Sequence, residues 1–192
     1  MNDLATSARA ESGIDALHHA LKRYSELWPE EAAVVDIFGE LLDASGIDPF
    51  TRERLTGHFT ASSWLVDGSG QRVLLTHHRK LDRWLQLGGH ADGDRDLPRV
   101  ALREAEEEGG LTGLSVEAEI FDLDRHWIPE RGDVPGHWHY DARYVVHAGA
   151  NEDYVVSDES HDLEWRAIGI IAEDPHADES LRRMARKWLA RP

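Results

Sequence analysis

Apolar residues recur at helical spacing along the first 55 positions. In residues 13–27, GIDALHHALKRYSEL, the residues Ile14, Leu17, Leu21 and Tyr24 fall on one stripe. Pro29 opens a second such run, PEEAAVVDIFGELLDAS, with acids in its first turn, where a fixed φ and the helix dipole favour them. The segment DPFTRERLTG (48–57) predicts a third short helix, and residues 1–12 read as a frayed terminus. From His58 the pattern becomes that of strands. HFTASSWLVD and RVLLTHH, joined by the turn-forming GSGQ, predict a hairpin. RWLQL predicts a short strand ending at Gly88-Gly89, followed by a loop and a helix over about 97–109. LSVEAEIFDLDRHWI and HWHYDARYVVHAG predict two further strands, parted by the turn-rich PERGDVPG. DLEWRAI is a last short strand, and DESLRRMARKWLA closes the chain as an amphipathic helix.

This order predicts a mixed sheet flanked by helices, an α/β or α+β layered domain over 56–192, preceded by a helical extension over 1–55. The apolar faces of the extension need a partner, either the domain or a second copy of the chain, so a homodimer is permitted.

The helix over 97–111 carries acids where a core face is expected. At about 100° per residue, Leu97, Val100, Ala101, Glu104, Glu107, Glu108 and Leu111 share one face, and Glu106 points away. Burying carboxylates there unpaired costs several kcal/mol each. Either a salt-bridge network with Arg95, Arg99 and Arg103 or a divalent cation must offset the charge. An all-oxygen donor set suits Mg²⁺ or Mn²⁺, and the Gly88-Gly89 turn lets a backbone carbonyl approach such an ion.

The segment from Gly89 to Leu111 resembles the Nudix box, G-x5-E-x7-R-E-U-x-E-E-x-G-U, where U is a bulky aliphatic residue. Two positions depart from it. Ala105 is smaller than the usual aliphatic, and Arg95 stands where the family has Glu, flanked by Asp94 and Asp96. The resemblance runs over roughly 57–190, with a hairpin before the box and the strand start LEW after it. It implies an α/β/α sandwich with a mixed sheet. It implies a hydrolase that cleaves the diphosphate linkage of a nucleoside diphosphate joined to another group, using Mg²⁺ or Mn²⁺. By position, Glu104, Glu107 and Glu108 are the metal carboxylates, the Gly89 carbonyl is a further ligand, and Arg103 orients the glutamates. The general base is either Glu107 or a later loop acid, for which Glu159, five residues before Glu164, is the match.

Composition narrows the partners. The formal net charge of −16 repels nucleic-acid polymers, while a small phosphorylated substrate bridged by cations stays open. The absence of cysteine removes disulfides, thiolate metal sites and cysteine nucleophiles, and suits a reducing cytoplasm. The N-terminal residues lack the pattern of a signal peptide, and no run of ~18 apolar residues predicts a membrane span. Twelve histidines widen the possible metal chemistry. Strand alternation in GHWHYDARYVVH places His137, His139, Asp141, Arg143 and His147 on one face, lining solvent or a cleft, with Trp138, Tyr140, Ala142, Tyr144 and Val146 as core. Arg143, His137, His139 and Lys80 are therefore candidates to hold substrate phosphates, or, for the histidines, a further metal. His77, His78 and His90 lie near the box in sequence, and Trp84 and Trp127 are placed either to stack on a base or to fill core. Two rival readings remain. A non-catalytic Nudix-like sensor of nucleotides or ADP-ribose is motivated by Arg95. An isopentenyl diphosphate isomerase-like enzyme shares the fold and a His-rich metal site, but relies on a cysteine that this chain lacks.

Overall fold

The computed structural model describes residues 3–158 and 160–191, with side chains from Gly13 onward. Helix α1 spans Asp3–Leu27, so residues 3–12 continue the helix instead of fraying. Alanines at positions 5, 8 and 10 favour propagation once the packed segment behind them has nucleated it. A single 3-10 turn over Pro29–Glu31 leads into α2, Ala32–Leu42. Segment 48–57 is not a helix. It is a series of turns, with Asp48 Oδ1 accepting from the Phe50 N–H at 2.9 Å and i→i+3 bonds from Thr51, Arg54 and Gly57. Asp48 ahead of Pro49 builds a side-chain-closed turn that competes with helix, as Asp before Pro often does.

The remaining elements are β1 (Gly57–Val66), β2 (Arg72–His78), β3 (Arg83–Leu85), β4 (Leu87–His90), α3 (Leu97–Gly109), β5 (Ser115–Ile128), β6 (His137–His147), β7 (Ser160–Ala167), α4 (Ile168–Glu173) and α5 (Glu179–Leu189). Among the described residues the strands form one seven-stranded sheet in the order β3-β2-β1-β6-β5, with β4 paired to β1 and β7 to β2. The expected single strand RWLQL is two strands. Thr76 pairs with Leu85 and His77 with Trp84 in β2–β3, and after Gln86 the chain pairs instead with β1. All ten positions of β1 are buried, as a central strand covered on both faces requires. The β1–β2 turn is closed by Asp67, whose Oδ1 accepts from the backbone N–H of Gln71 and Arg72 at 2.9 and 3.0 Å.

The chain divides into two compact units. One comprises the chain through Thr60, His90–Leu97 and Leu123–Ala142. The other comprises Ala61–Gly89, Pro98–Asp122 and Arg143 onward. In the first, Leu17, Leu21 and Tyr24 of α1 and Phe38, Leu41 and Leu42 of α2 are buried, so the apolar faces of the extension are covered within one chain. Phe38, Phe50, Phe59 and Tyr140 form an aromatic cluster with centroids 4.8–6.3 Å apart.

The second unit is layered. Trp64, Val66, Val73, Leu75, Phe121 and Val145 pack with Ile168, Ile171, Leu181, Met184 and Ala185 of α4 and α5. Their alternate neighbours Leu65, Leu74 and Val146 pack with Leu87, Leu111, Leu163 and Ala105 of α3. The period-two alternation thus splits two helical layers across one sheet, an α/β/α arrangement. Helix α4 has no capping signal and only six residues, so it escapes a reading by periodicity.

Candidate active site

Strand β4 carries Gly88-Gly89 alongside the C-terminal half of α3. Val100, Ala101 and Ala105 are buried, Glu104 and Glu108 are half-buried, and Glu106 and Glu107 are exposed. Two local interactions hold the half-buried carboxylates. The Gly88 N–H donates to Glu108 Oε2 at 3.1 Å, and Arg103 Nη2 donates to Glu104 Oε1 at 2.9 Å. Both glycines permit close approach, Gly88 to backbone and Gly89 to a side chain. A Cβ at Gly88 would come within 2.7 Å of Ser62 Cα, and one at Gly89 would come within 2.6 Å of the Glu104 carboxyl carbon. Glu104 therefore lies directly against the backbone of Gly89. Glu104 and Glu108 flank the Gly88-Gly89 backbone, with Glu107 exposed on the same helix, and oxygen donors of this kind suit a hard divalent cation. Of the expected salt-bridge partners, Arg103 meets Glu104 and Arg95 meets Asp48.

Arg95 Nη2 reaches Asp48 Oδ2 at 2.6 Å, and its guanidinium carbon stands 5.6 Å from the centre of the Phe50 ring. The residue that departs from the box thus ties the loop before α3 to the turn at 48–51.

Other expected site residues are dispersed. Arg143 does not line a cleft. It is 2% exposed, and its Nη1 donates to Asp122 Oδ2 at 3.1 Å. Asp122, fully buried, also accepts from Arg183 at 2.7 and 2.9 Å and from Lys187 at 2.8 Å. Alternation placed Arg143 opposite Tyr144, but β6 is covered on both faces, so a long cation there needs a buried partner. Asp141, on the same expected face, is also buried and accepts from Thr60 Oγ1 at 2.9 Å. Lys80 is exposed in the β2–β3 turn. Glu159 lies outside the described residues. His77 stacks on Trp84 at 5.1 Å, and Arg166 covers the Trp84 ring at 4.0 Å. Trp127 is half-exposed and meets Trp138 edge-on at 5.1 Å.

His137 and His139 come together with His58 and His90, with candidate ligand atoms all within 4.8 Å of one another. Burial pushes His139 down to about 2 and His90 to about 4, with neighbouring histidines adding to both shifts and Arg52 adding at His90, and it lowers His58 as well. His58, His90 and His139 are thereby disfavoured from carrying a proton charge. The i, i+2 spacing of His137 and His139 is visible in the sequence; His58 and His90 join them only because β1 pairs with both β4 and β6.

The family model of the NUDIX domain matches residues 57–187. No curated protein matches the chain. Among solved structures, a NUDIX-family hydrolase from Clostridium perfringens is 25% identical, with 68% of this chain and 95% of that one covered and a TM-score of 0.53. An Ap4A hydrolase from C. elegans in a binary complex is 18% identical, covering 69% and 95%, with a TM-score of 0.54. The dihydroneopterin triphosphate pyrophosphohydrolase of E. coli is 16% identical, covering 67% and 92%, with a TM-score of 0.53. The last two likenesses speak to the fold alone.

Proposed function

The chain belongs to the NUDIX domain family, and from that premise we propose a hydrolase that uses Mg²⁺ or Mn²⁺ to cleave the diphosphate linkage of a small nucleoside diphosphate derivative. The observation that carries this reading is the contact of Glu104 and Glu108 with the Gly88-Gly89 backbone. Residues 56–192 are the hydrolase domain in this reading, and 1–55 the helical extension.

Glu104, Glu107, Glu108 and the Gly89 carbonyl would hold the cation. When bound, it neutralises diphosphate charge and makes a coordinated water more acidic. The chain's own groups do the rest. Arg103 fixes the Glu104 carboxylate. The Gly88 N–H fixes Glu108. Glu107, exposed beside them, is the base that takes the proton of the attacking water, with the acid at position 159 as the other candidate. In the reaction water oxygen bonds to one phosphorus, the bridging P–O bond breaks, and the bridging oxygen leaves on the other phosphate. Lys80, exposed in the β2–β3 turn, is the cation this reading assigns to substrate phosphate. Arg95, the feature that motivated a sensor without catalysis, is paired with Asp48, which supports a structural role for it.

No described helix is long and apolar enough to cross a membrane, and a cysteine-free chain suits the reducing cytoplasm proposed as its location. The decisive assay incubates the chain with Mg²⁺ or Mn²⁺ and a panel of nucleoside diphosphate derivatives, following products by ³¹P NMR. Cleavage that disappears in Glu107→Gln supports the hydrolase. Tight binding without cleavage would overturn it in favour of a sensor.

A further inference from the structure

Four histidines converge in the first unit from three neighbouring strands. His58 begins β1, His90 ends β4, and His137 and His139 open β6. The backbone clamps these segments: the Ala91 N–H bonds Phe59 O at 3.3 Å, the Phe59 N–H bonds Pro49 O at 2.8 Å, and the Trp138 N–H bonds Thr56 O at 3.4 Å. The ring centroids of His58, His90, His137 and His139 lie 4.8–5.1 Å apart in the five recorded pairs.

The tautomers follow from the outer hydrogen bonds. His58 Nδ1 lies 3.2 Å from Arg54 O, and His137 Nδ1 lies 2.9 Å from Pro135 O. A carbonyl only accepts, so each Nδ1 carries a proton, and Nε2 of the neutral ring is the lone pair left to bind a metal. His137 Nε2 lies 3.2 Å from His139 Nε2. His58, 3% exposed, has its Nε2 buried with no hydrogen-bond partner among the described residues. A buried acceptor left unmet costs about 1–3 kcal/mol. Imidazole nitrogens brought within 4.8 Å of one another gain from a shared cation, and the backbone bonds hold them ready for one.

We propose that His58, His90, His137 and His139 form a binding site for one divalent first-row transition-metal ion of the Zn²⁺ type, separate from the oxygen-donor site at the Nudix box. Nitrogen-only donors select Zn²⁺, Fe²⁺, Ni²⁺ or Cu²⁺ over Mg²⁺, and four of them satisfy a tetrahedral ion. The site does not depend on the chain being a hydrolase.

The test titrates the full chain, stripped of metal by chelator, with Zn²⁺ by calorimetry and with Co²⁺ by its ligand-field absorption, in excess Mg²⁺. One Zn²⁺ should bind, unaffected by the Glu104→Gln/Glu108→Gln double variant. His58→Gln and His139→Gln should each weaken it by roughly 10-fold or more. Zn²⁺ affinity that follows the glutamate variant instead, or no Zn²⁺ binding by the unaltered chain, overturns the proposal. Should the histidine variants fail to fold, ¹⁵N NMR of the unaltered chain decides. Zn²⁺ should shift the Nε2 resonances of His58 and His137, and unshifted resonances overturn the site.

Discussion

At the scale of single residues, close approach and charge pairing decide what each position tolerates. Gly89→Ala drives a methyl group into the Glu104 carboxylate. Since Glu104 is side-chain to be moved and not backbone, the fold should survive with its thermal midpoint nearly unchanged, while Mn²⁺ affinity by calorimetry falls at least tenfold, about 1.4 kcal/mol. Arg95→Glu would restore the residue usual in the box, yet it sets a carboxylate against Asp48. Loss of the pair plus the new repulsion should cost about 1–2 kcal/mol in urea unfolding, with Arg95→Gln costing less. Equal stability of the two variants would show that Asp48 has another partner to turn to. Asp122 is the most exposed to failure, although it is the least exposed to solvent. Its one carboxylate faces Arg143, Arg183 and Lys187. Asp122→Asn leaves three cations together and should destabilise the chain by roughly 3–5 kcal/mol.

At the scale of elements, α3 has two jobs on two faces. One face packs on the sheet through Ala105, which is fully buried among Leu65, Leu74, Leu87, Leu111 and Leu163. The other presents Glu104, Glu107 and Glu108. The small residue that departs from the Nudix pattern is thus matched by leucines around it. Ala105→Leu, nominally closer to the family pattern, should over-pack this layer and cost about 1–3 kcal/mol in urea unfolding. It should also displace the glutamates one residue and two residues away, so activity should fall further than stability alone explains. An unchanged urea midpoint would mean that the leucine layer has room to adjust.

At the scale of the whole molecule, charge sets the response to pH. Asp67 and Glu117 both sit below the ordinary carboxylate range in the folded chain. Burial alone would raise them. Arg72, Ser69 and Gln71 outweigh it at Asp67, and Arg191 and His147 outweigh it at Glu117. A depressed folded value means that the unfolded chain takes up the proton first as pH falls. The stabilisation is therefore complete above about pH 4, the unfolded carboxylate value, and is lost as pH drops through the folded one. The stability difference between the unaltered chain and Asp67→Asn should be full at pH 7 and should narrow below pH 4; a gap that stays constant into acid would show that Asp67 acts through shape and not charge. With a net charge of −16, Mg²⁺ should also raise the midpoint, by binding linkage at the glutamates beyond what an equal ionic strength of NaCl provides.

The helices over 13–27 and 97–109, the hairpin and the long strands were legible from periodicity, because burial of one face leaves its period in the sequence. The box glutamates stood out for a different reason: acids on a stripe expected to face the core contradict local pattern, and in the fold Glu104 and Glu108 are half-buried while Glu107 is exposed. Pairing and burial were not legible. Gln86, where one apparent strand becomes two, looks like any other strand residue; it is the competition of β2 and β1 for hydrogen bonds that divides the run. Arg143 reads as a surface cation, and only the burial of both faces of β6 and the arrival of Asp122, Arg183 and Lys187 from distant positions make it an interior one. His58 and His90 have no motif in common, and they meet only where three strand ends lie side by side. The sequence by itself determined the elements and the acidic face, since both depend on neighbours within a few residues. Tertiary structure alone decided which charges are neutralised and which histidines converge, because those depend on contacts between residues 20 to 81 positions apart, which leave no period to read.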